Sequence, residues 1–452
     1  MNVNPSVTPA GRPGTLPSPS RPPASANPGA PTATCRIALV GFGAVGDAVA
    51  RSLCERPRAG LRLTHIVGND GAGRRAAWMP ATVTRVDTAV EVLMADVDVV
   101  VDLLEDPRES ADIIRAALEA GKSVVTAGRQ TMAHDGPELL ALARARGCRL
   151  RFEAAVGGPV PMVAGLRDGL AGDRLQALVG ILNGACNYML SRMEWTGGVF
   201  ADALAEAQRL GLAGAEPADD VEGHDAAAKL SVLSGIAFGR QIVVDEIPRQ
   251  TIAAIEPIDF SYAARLDCTI RPIAYAGRRP GGLAAWVSPA LVPRASMLSH
   301  LHGSQSILVA QGDAMMHSGF FGVGAGSRAA AVAIVSDLLA LAGSEPVGCG
   351  WLPVPTRTHL SVPDIEVRRY LRFVVRDRPG IIAELAKSFA AERVSVEAVL
   401  QEPPFRRSEL PFVVTLDPCR QSALDRALET IAACDFHVKP PLSLPVLDQS
   451  VA

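Results

Sequence analysis

The sequence predicts an α/β chain: a parallel sheet covered on both faces, a mixed α+β region that interrupts it, and a small C-terminal βαββα unit. Three observations carry this. Apolar strand-like runs alternate with helical patterns from Cys35 to Glu153. That alternation stops near Gly157 and gives way to longer strand-like segments. Residues 367–440 then follow a strand–helix–strand–strand–helix rhythm of their own, with room for a closing strand, which is a ferredoxin-like plan.

Residues 1–34 are dominated by Pro, Ser, Ala, Gly and Thr, so they lack the apolar side chains of a core, and a disordered tail is expected. No continuous apolar stretch in them marks a signal peptide. Residues 35–156 form the first domain. Its strands are Arg36–Val40, Leu61–Val67, Val97–Leu104, Ser123–Thr126 and Leu150–Glu153, with helices over Asp47–Arg58, Ala111–Ala120 and roughly Gly136–Arg146. Residues 157–319 form the second domain. Helices are expected near Val163–Leu170, 200–210 and 223–237, and strands at Leu175–Leu182, Thr269–Tyr275, Leu283–Val292 and Ser306–Gln311. A helix at Ala329–Ala342, within a returning segment at about 320–342, should complete the first sheet. Residues 343–366 are proline-rich and read as a linker. The last unit has strands at Tyr370–Val375, near 394–401 and 410–416, and helices at Ile381–Glu392 and Gln421–Cys434.

Composition narrows the function. A net charge of −3 gives no reason to expect nucleic acid or an anionic membrane as partner. No window approaches the roughly 18 consecutive apolar residues of a membrane span. The eight cysteines are scattered without a CxxC pair, which fits free thiols in a reducing cytoplasm and not a structural zinc site. Only Lys122, Lys229, Lys387 and Lys439 are lysines, against forty arginines, so a lysine at a functional position invites explanation.

Gly41-Phe42-Gly43-Ala44-Val45-Gly46 is G-x-G-x-x-G directly after a strand and at the start of a helix. The first glycine permits the turn, the second lets the backbone approach a pyrophosphate, and the third packs helix on strand, the Rossmann arrangement. The helix N-terminus then offers unpaired N–H groups to the phosphates. A glycine-rich turn without a ligand is the plainer alternative. After the second strand, Asp70 suits a ribose 2′-hydroxyl, while Arg74 and Arg75 suit a 2′-phosphate; solvated loop charges explain all three as well. NAD and NADP both stay open, NADP being the favoured one.

Phe152-Glu153-Ala154-Ala155-Val156-Gly157-Gly158-Pro159-Val160-Pro161, Asn183-Gly184-Ala185-Cys186-Asn187-Tyr188, Asp220 through Leu230, and Gly322-Val323-Gly324-Ala325-Gly326 resemble, in order and spacing, the signatures of homoserine dehydrogenases. Val375-Arg376-Asp377-Arg378-Pro379-Gly380 resembles the opening of an ACT domain. The resemblance implies NAD(P)-dependent interconversion of homoserine and aspartate 4-semialdehyde by a homodimer or tetramer, with threonine as the family's usual effector. It places Arg129, Gly211 and Gly324 beside the cofactor. It also implies a structural sodium ion at Glu153 and the carbonyls of Val156, Gly158 and Val160; a strand-end turn with Glu153 bonded to backbone N–H groups is the alternative.

Asp225 and Lys229 stand at i and i+4, on one face of a largely apolar helix. A surface ion pair is the bland account. In an enclosed cavity, however, a lysine can protonate the alkoxide left by aldehyde reduction, which an arginine cannot. Lys229 is therefore the expected proton donor, with Asp225 orienting it or binding the substrate amine. Three positions depart from the family. Arg129 stands where the family has a second active-site lysine. Gly214 replaces a glutamate that binds the amine, leaving Glu216 to reach across. Glu105-Asp106 replaces a Gly-Gly under the nicotinamide. Two rival expectations follow: a dehydrogenase with an altered amino-acid aldehyde or alcohol substrate, or a catalytically silent ACT-domain regulator.

Overall fold

The computed structural model of the protein describes residues 34–58, 60–68, 77–324, 326–343, 354–360, 364–402 and 405–448. Asp70, Arg74, Arg75, Ala325, residues 1–33 of the expected tail and much of the 343–366 linker lie outside the described residues.

Strands β1 (Cys35–Val40), β2 (Leu61–Val67), β3 (Thr84–Val86), β4 (Val99–Asp102), β5 (Ser123–Thr126) and β6 (Leu150–Arg151) form a parallel sheet in the order β3-β2-β1-β4-β5-β6. This is the doubly wound order, whose reversal at β1 and β4 opens a crevice at the carboxyl ends of the strands. The intervening helices are α1 (Ala44–Glu55), α2 (Ala89–Met94), α3 (Pro107–Glu119) and α4 (Arg129–Ala145). Both faces of the sheet are buried: Ile37, Leu39 and Val101 belong to one apolar cluster, Ala38, Val40 and Val100 to another. That is why these strands read as continuous apolar runs.

Helix α4 begins at Arg129, well before the Gly136 expected from sequence, and runs through Pro137. Proline leaves the carbonyl four residues earlier without its helical donor. Here the buried Gln241 side chain supplies it: its Nε2 donates to the Met132 and Ala133 carbonyls at 2.9 Å each. Glu153 does not end a strand; it opens the short helix α5 (Glu153–Val156). The helix expected over Val163–Leu170 is a single α turn, α6 (Met162–Ala164), followed by a π turn at Gly165–Gly169.

The second sheet is mixed. Its strands β7 (Leu175–Ile181), β9 (Cys268–Arg279), β10 (Gly282–Pro293), β11 (Gln305–Gly312) and β12 (Met316–Val323) run in the order β12-β11-β7-β9-β10. Between them come α7 (Gly184–Thr196), α8 (Phe200–Arg209), α9 (Ala218–Val221), α10 (His224–Phe238), strand β8 (Arg240–Ile242) and α11 (Pro257–Arg265). Helices α7 and α11 and strand β12 were not expected. Strand β12 leaves most of its residues exposed, so no buried alternation marks it. Helix α12 (Ser327–Ala342) returns to the first sheet, where Ile334 and Leu338 share a cluster with Ile37 and Leu39.

Beyond α12 the linker reading needs correction. Residues Thr356–Thr358 form β13, paired in parallel with β8. The C-terminal unit comprises β14 (Glu366–Val375), α13 (Ile381–Ala391), β15 (Val396–Leu400), β16 (Leu410–Arg420), α14 (Gln421–Ala432) and β17 (His437–Val446). Its four strands, ordered β17-β14-β16-β15, continue the second sheet into nine strands through one parallel pair, Leu291 with Val446. The buried Asp259 of α11 fastens it, accepting from Tyr370 Oη at 2.8 Å and Arg372 Nη1 at 2.7 Å. Among the described residues no helix is long and apolar enough to cross a membrane.

Candidate functional site

The G-x-G-x-x-G turn joins β1 to α1. Gly41 has φ +96°, and a Cβ there would lie 2.8 Å from the Leu103 carbonyl oxygen; one on Gly46 would lie 2.7 Å from the Gly41 oxygen. A Cβ on Gly43 would meet nothing within 4 Å. Two glycines are thus required by the turn itself, and the middle one faces open space at the N-terminus of α1. That is the geometry for a pyrophosphate. Phe42 packs beside the turn with the Arg85 guanidinium 5.6 Å above its ring. Arg85 is a basic side chain near the turn that sequence reading passed over, because β3 is only three residues long and carries no motif.

A cavity of about 210 Å³ lies where the two domains meet. Ala127 and Ala154 from the first domain, Asn183, Leu212, Asp220, Asp225 and Lys229 from the second, and Gly324 and Gly326 before α12 all line it. Arg129, Val156 and Gly158 line it as well. Asp225 stands in the first turn of α10, its side chain 4% exposed. Lys229 Nζ donates to Asp225 Oδ2 at 2.7 Å and to the Leu182 carbonyl at 3.0 Å. An ammonium has three N–H groups, so one remains for a ligand. Arg129 Nη2 donates to Asp219 Oδ2 at 2.7 Å, and its Nε stands 2.8 Å from Asp225 Oδ1, an ion-pair contact off the line of a hydrogen bond.

Electrostatics follow from this arrangement. Burial alone would push the Asp225 carboxyl up, but Lys229 and Arg129 outweigh it and hold it below its ordinary value. Burial raises Asp220, the Asn183 amide offsetting part of the rise. Asn183 caps α7 by accepting from Cys186 N at 2.8 Å, while its Nδ2 donates to Asp220 Oδ1 at 2.7 Å and Asp225 Oδ2 at 2.9 Å. One side chain therefore starts a helix and aligns two carboxylates.

Some expected positions lie elsewhere. Gly211 is exposed at the end of α8, its N–H bonded to the Gln208 carbonyl, and Glu216 is exposed; neither lines the cavity. Gly214 is also exposed. Besides Asp225, the acids that reach Arg129 and Asn183 are Asp219 and Asp220, two residues to which the sequence gives no role. Asp106 does not line this cavity; its carboxylate caps α3, accepting from the Arg108 and Glu109 amides at 2.9 Å each. Glu153 uses its carboxylate on the Val163 and Ala164 amides, at 2.9 and 2.8 Å. Its own N–H donates to the buried Asp337 of α12 at 2.9 Å. Burial raises Glu153 to about 7 and Asp337 to about 6.

Residues 41–153 match the family model described as the NAD binding domain of homoserine dehydrogenase, and residues 161–339 match the model described as homoserine dehydrogenase. The homoserine dehydrogenase of Corynebacterium glutamicum is 34% identical over 427 residues, covering 90% of this chain and 95% of that one. That of Mycobacterium leprae is 35% identical over 426 residues, covering 89% and 95%. The crystal structure of a homoserine dehydrogenase from Thiobacillus denitrificans matches with a TM-score of 0.83 at 29% identity, covering 92% of this chain and 98% of that chain.

Proposed function

The chain belongs to the homoserine dehydrogenase family of NAD(P)-dependent oxidoreductases, and on that premise we propose that it interconverts L-homoserine and L-aspartate 4-semialdehyde. The observation that carries this is the buried Lys229–Asp225 pair in a cavity between the nucleotide-binding and second domains. The open Gly43 face and the α1 N-terminus fit a dinucleotide, which when bound supplies or accepts the hydride. The chain's own residues supply the proton chemistry. Lys229 gives its proton to the alkoxide oxygen on reduction and takes it back on oxidation, and Asp225 holds Nζ in place. Asp220 and Asp225 offer negative charge to the substrate ammonium, the task that the family gives to the position of Gly214. Arg129 offers its guanidinium to the substrate carboxylate. Glu216 is left as a rim charge and Gly211 as a turn.

NADP is the preferred nucleotide in this reading, supported by Arg85 beside the phosphate turn. A structural sodium ion, implied by the resemblance, would rest on carbonyl oxygens of the Glu153–Val160 loop, since the Glu153 carboxylate is already taken by backbone amides. The C-terminal unit is read as an ACT-type regulatory domain that takes an amino-acid effector, threonine by the resemblance, at the α13 N-terminus opened by Gly380. The enzyme works in the cytoplasm as a homodimer or tetramer. Steady-state oxidation of L-homoserine, with NAD and NADP in parallel, tests the assignment. Turnover of homoserine, faster with NADP and losing that preference in Arg85→Ala, is expected. Nicotinamide binding without homoserine turnover would point to an altered substrate; no nucleotide binding would leave a silent regulator.

A further inference from the structure

The nine-stranded sheet is pinched where it crosses into the C-terminal unit. Strands β10 and β17 meet only at Leu291 and Val446. Further back along β10 the edge is taken instead by residues 248–250: Gln250 N donates to the Val287 carbonyl, and Val287 N to that of Pro248. Strand β14 stands off from this edge, and the gap is a cavity of about 250 Å³. Trp286, Ile365, Val367 and Pro445 make its apolar wall, and Arg249 and Arg369 reach it from opposite sides.

Among the described residues neither arginine has a carboxylate within ion-pair distance, although Asp425 and Asp364 attract Arg369 from farther off. Several buried or half-buried guanidinium groups in this chain meet carboxylates, Arg36 with Asp98, Arg129 with Asp225, Arg271 with Glu194 and Arg372 with Asp259, while Arg149 and Arg278 bond backbone carbonyls, but none of these faces a cavity beside a second arginine as Arg369 does. Among the described residues Arg369 has no ion pair and no hydrogen bond, and its Nε is buried. Among the described residues the Arg249 guanidinium donates to the carbonyls of Val244 and Ile247, both at 3.3 Å, and to no carboxylate. The acids nearby are otherwise engaged. Asp364 accepts from the amide and hydroxyl of Ser422, and Asp425 from the Gln421 side chain. A cation withdrawn from water without a counter-charge is unfavourable, so a site built this way is completed by an anion.

We propose that this cavity binds a small organic carboxylate, its carboxyl group held between Arg369 and Arg249 and its aliphatic body against Trp286 and Ile365. Guanidinium groups suit a planar carboxylate. The apolar wall argues against inorganic phosphate, which would leave it unfilled. The volume lies below the roughly 300–1,000 Å³ of drug-sized sites, which limits the ligand to a short chain. Because the walls come from both the second domain and the C-terminal unit, the ligand stabilises their docking by mass action. This inference does not depend on the dehydrogenase reading, nor on an effector at Gly380.

The test is titration of the full chain with isobutyrate, L-valine and inorganic phosphate, followed by ligand-observed NMR and thermal shift. Saturable binding of isobutyrate and L-valine with a raised Tm, and none of phosphate, is expected. Arg369→Gln should weaken that binding at least tenfold, whereas Arg129→Gln, which removes from the other cavity the guanidinium offered to a carboxylate, should not change it. Arg249→Gln gives a second reading if Arg369→Gln fails to fold. Failure of both carboxylates to bind the parent, equal binding by the arginine variants, or a preference for phosphate would each overturn the proposal.

Discussion

The nucleotide turn and the charged cavity are built on opposite principles. The turn is a backbone device: Gly41, Gly43 and Gly46 lie within six residues, the first and last held by the Leu103 and Gly41 carbonyls beside them and the middle one open to a ligand. The cavity is a side-chain device. Arg129 comes from the start of α4, Asn183 from the cap of α7, Asp219 and Asp220 from α9, and Asp225 and Lys229 from α10. A backbone site fails when one atom is added. A side-chain network degrades by degrees, according to how buried each contact is.

That contrast ranks the expected effects. Gly43→Asp should abolish nucleotide binding, since a carboxylate would occupy the phosphate position, while Tm changes little because the added Cβ meets nothing within 4 Å. Fluorescence titration checks it, and parent-like affinity would break the assignment of the turn. Lys229→Arg keeps the charge but removes proton transfer, so kcat should fall about 10²-fold or more, the usual scale of general acid catalysis, with nucleotide affinity retained. Near-normal turnover would make Lys229 a structural partner of Asp225.

Asp337 ties α12 to the start of α5 by accepting from the Glu153 amide. Its carboxyl is raised by burial from 3.8 to about 6, so as pH climbs between those values the unfolded chain loses a proton that the folded chain keeps. Stability contributed below that window is lost across it. Asp337→Asn keeps an acceptor for Glu153 N, so its Tm should fall less steeply over the same range. Near pH 7 it should be more stable than the parent by up to about 3 kcal/mol. An unchanged Tm–pH slope would remove Asp337 as the cause.

The smallest effect belongs to Asp219→Asn. The Arg129–Asp219 pair is exposed on both sides, 42% and 43%, and exposed pairs contribute about 1 kcal/mol or less. Arg129 keeps Asp225, so kcat/KM for homoserine should drop no more than about fivefold. A larger loss in steady-state assays would show that Asp219 touches the substrate directly.

Legibility in the sequence followed the range of the interactions. The Asp225–Lys229 spacing lies within one helix and could be read from four intervening positions. Asp219 and Asp220 were passed over because they sit in a four-residue helix with no periodicity, and their roles depend on Arg129 and Asn183, 90 and 37 residues away. Glu216 drew attention by nearness to Gly214, yet both are exposed beside α8.

The sequence by itself determined the parallel sheet, the glycine turn and the helix that carries Asp225 and Lys229, because periodicity, backbone sterics and i,i+4 spacing are local properties. Only the tertiary structure decided where α4 begins: sequence places its start at about Gly136, whereas the helix runs from Arg129 through Pro137 because Gln241 brings donors to two of its carbonyls from over a hundred residues away. It likewise decided that the C-terminal unit is a continuation of the second sheet. The Leu291–Val446 pair and the buried Asp259–Arg372 contact join segments whose own patterns say nothing of each other. Hydrogen bonds and ion pairs between distant elements follow from how those elements pack, and packing is a property of the whole chain.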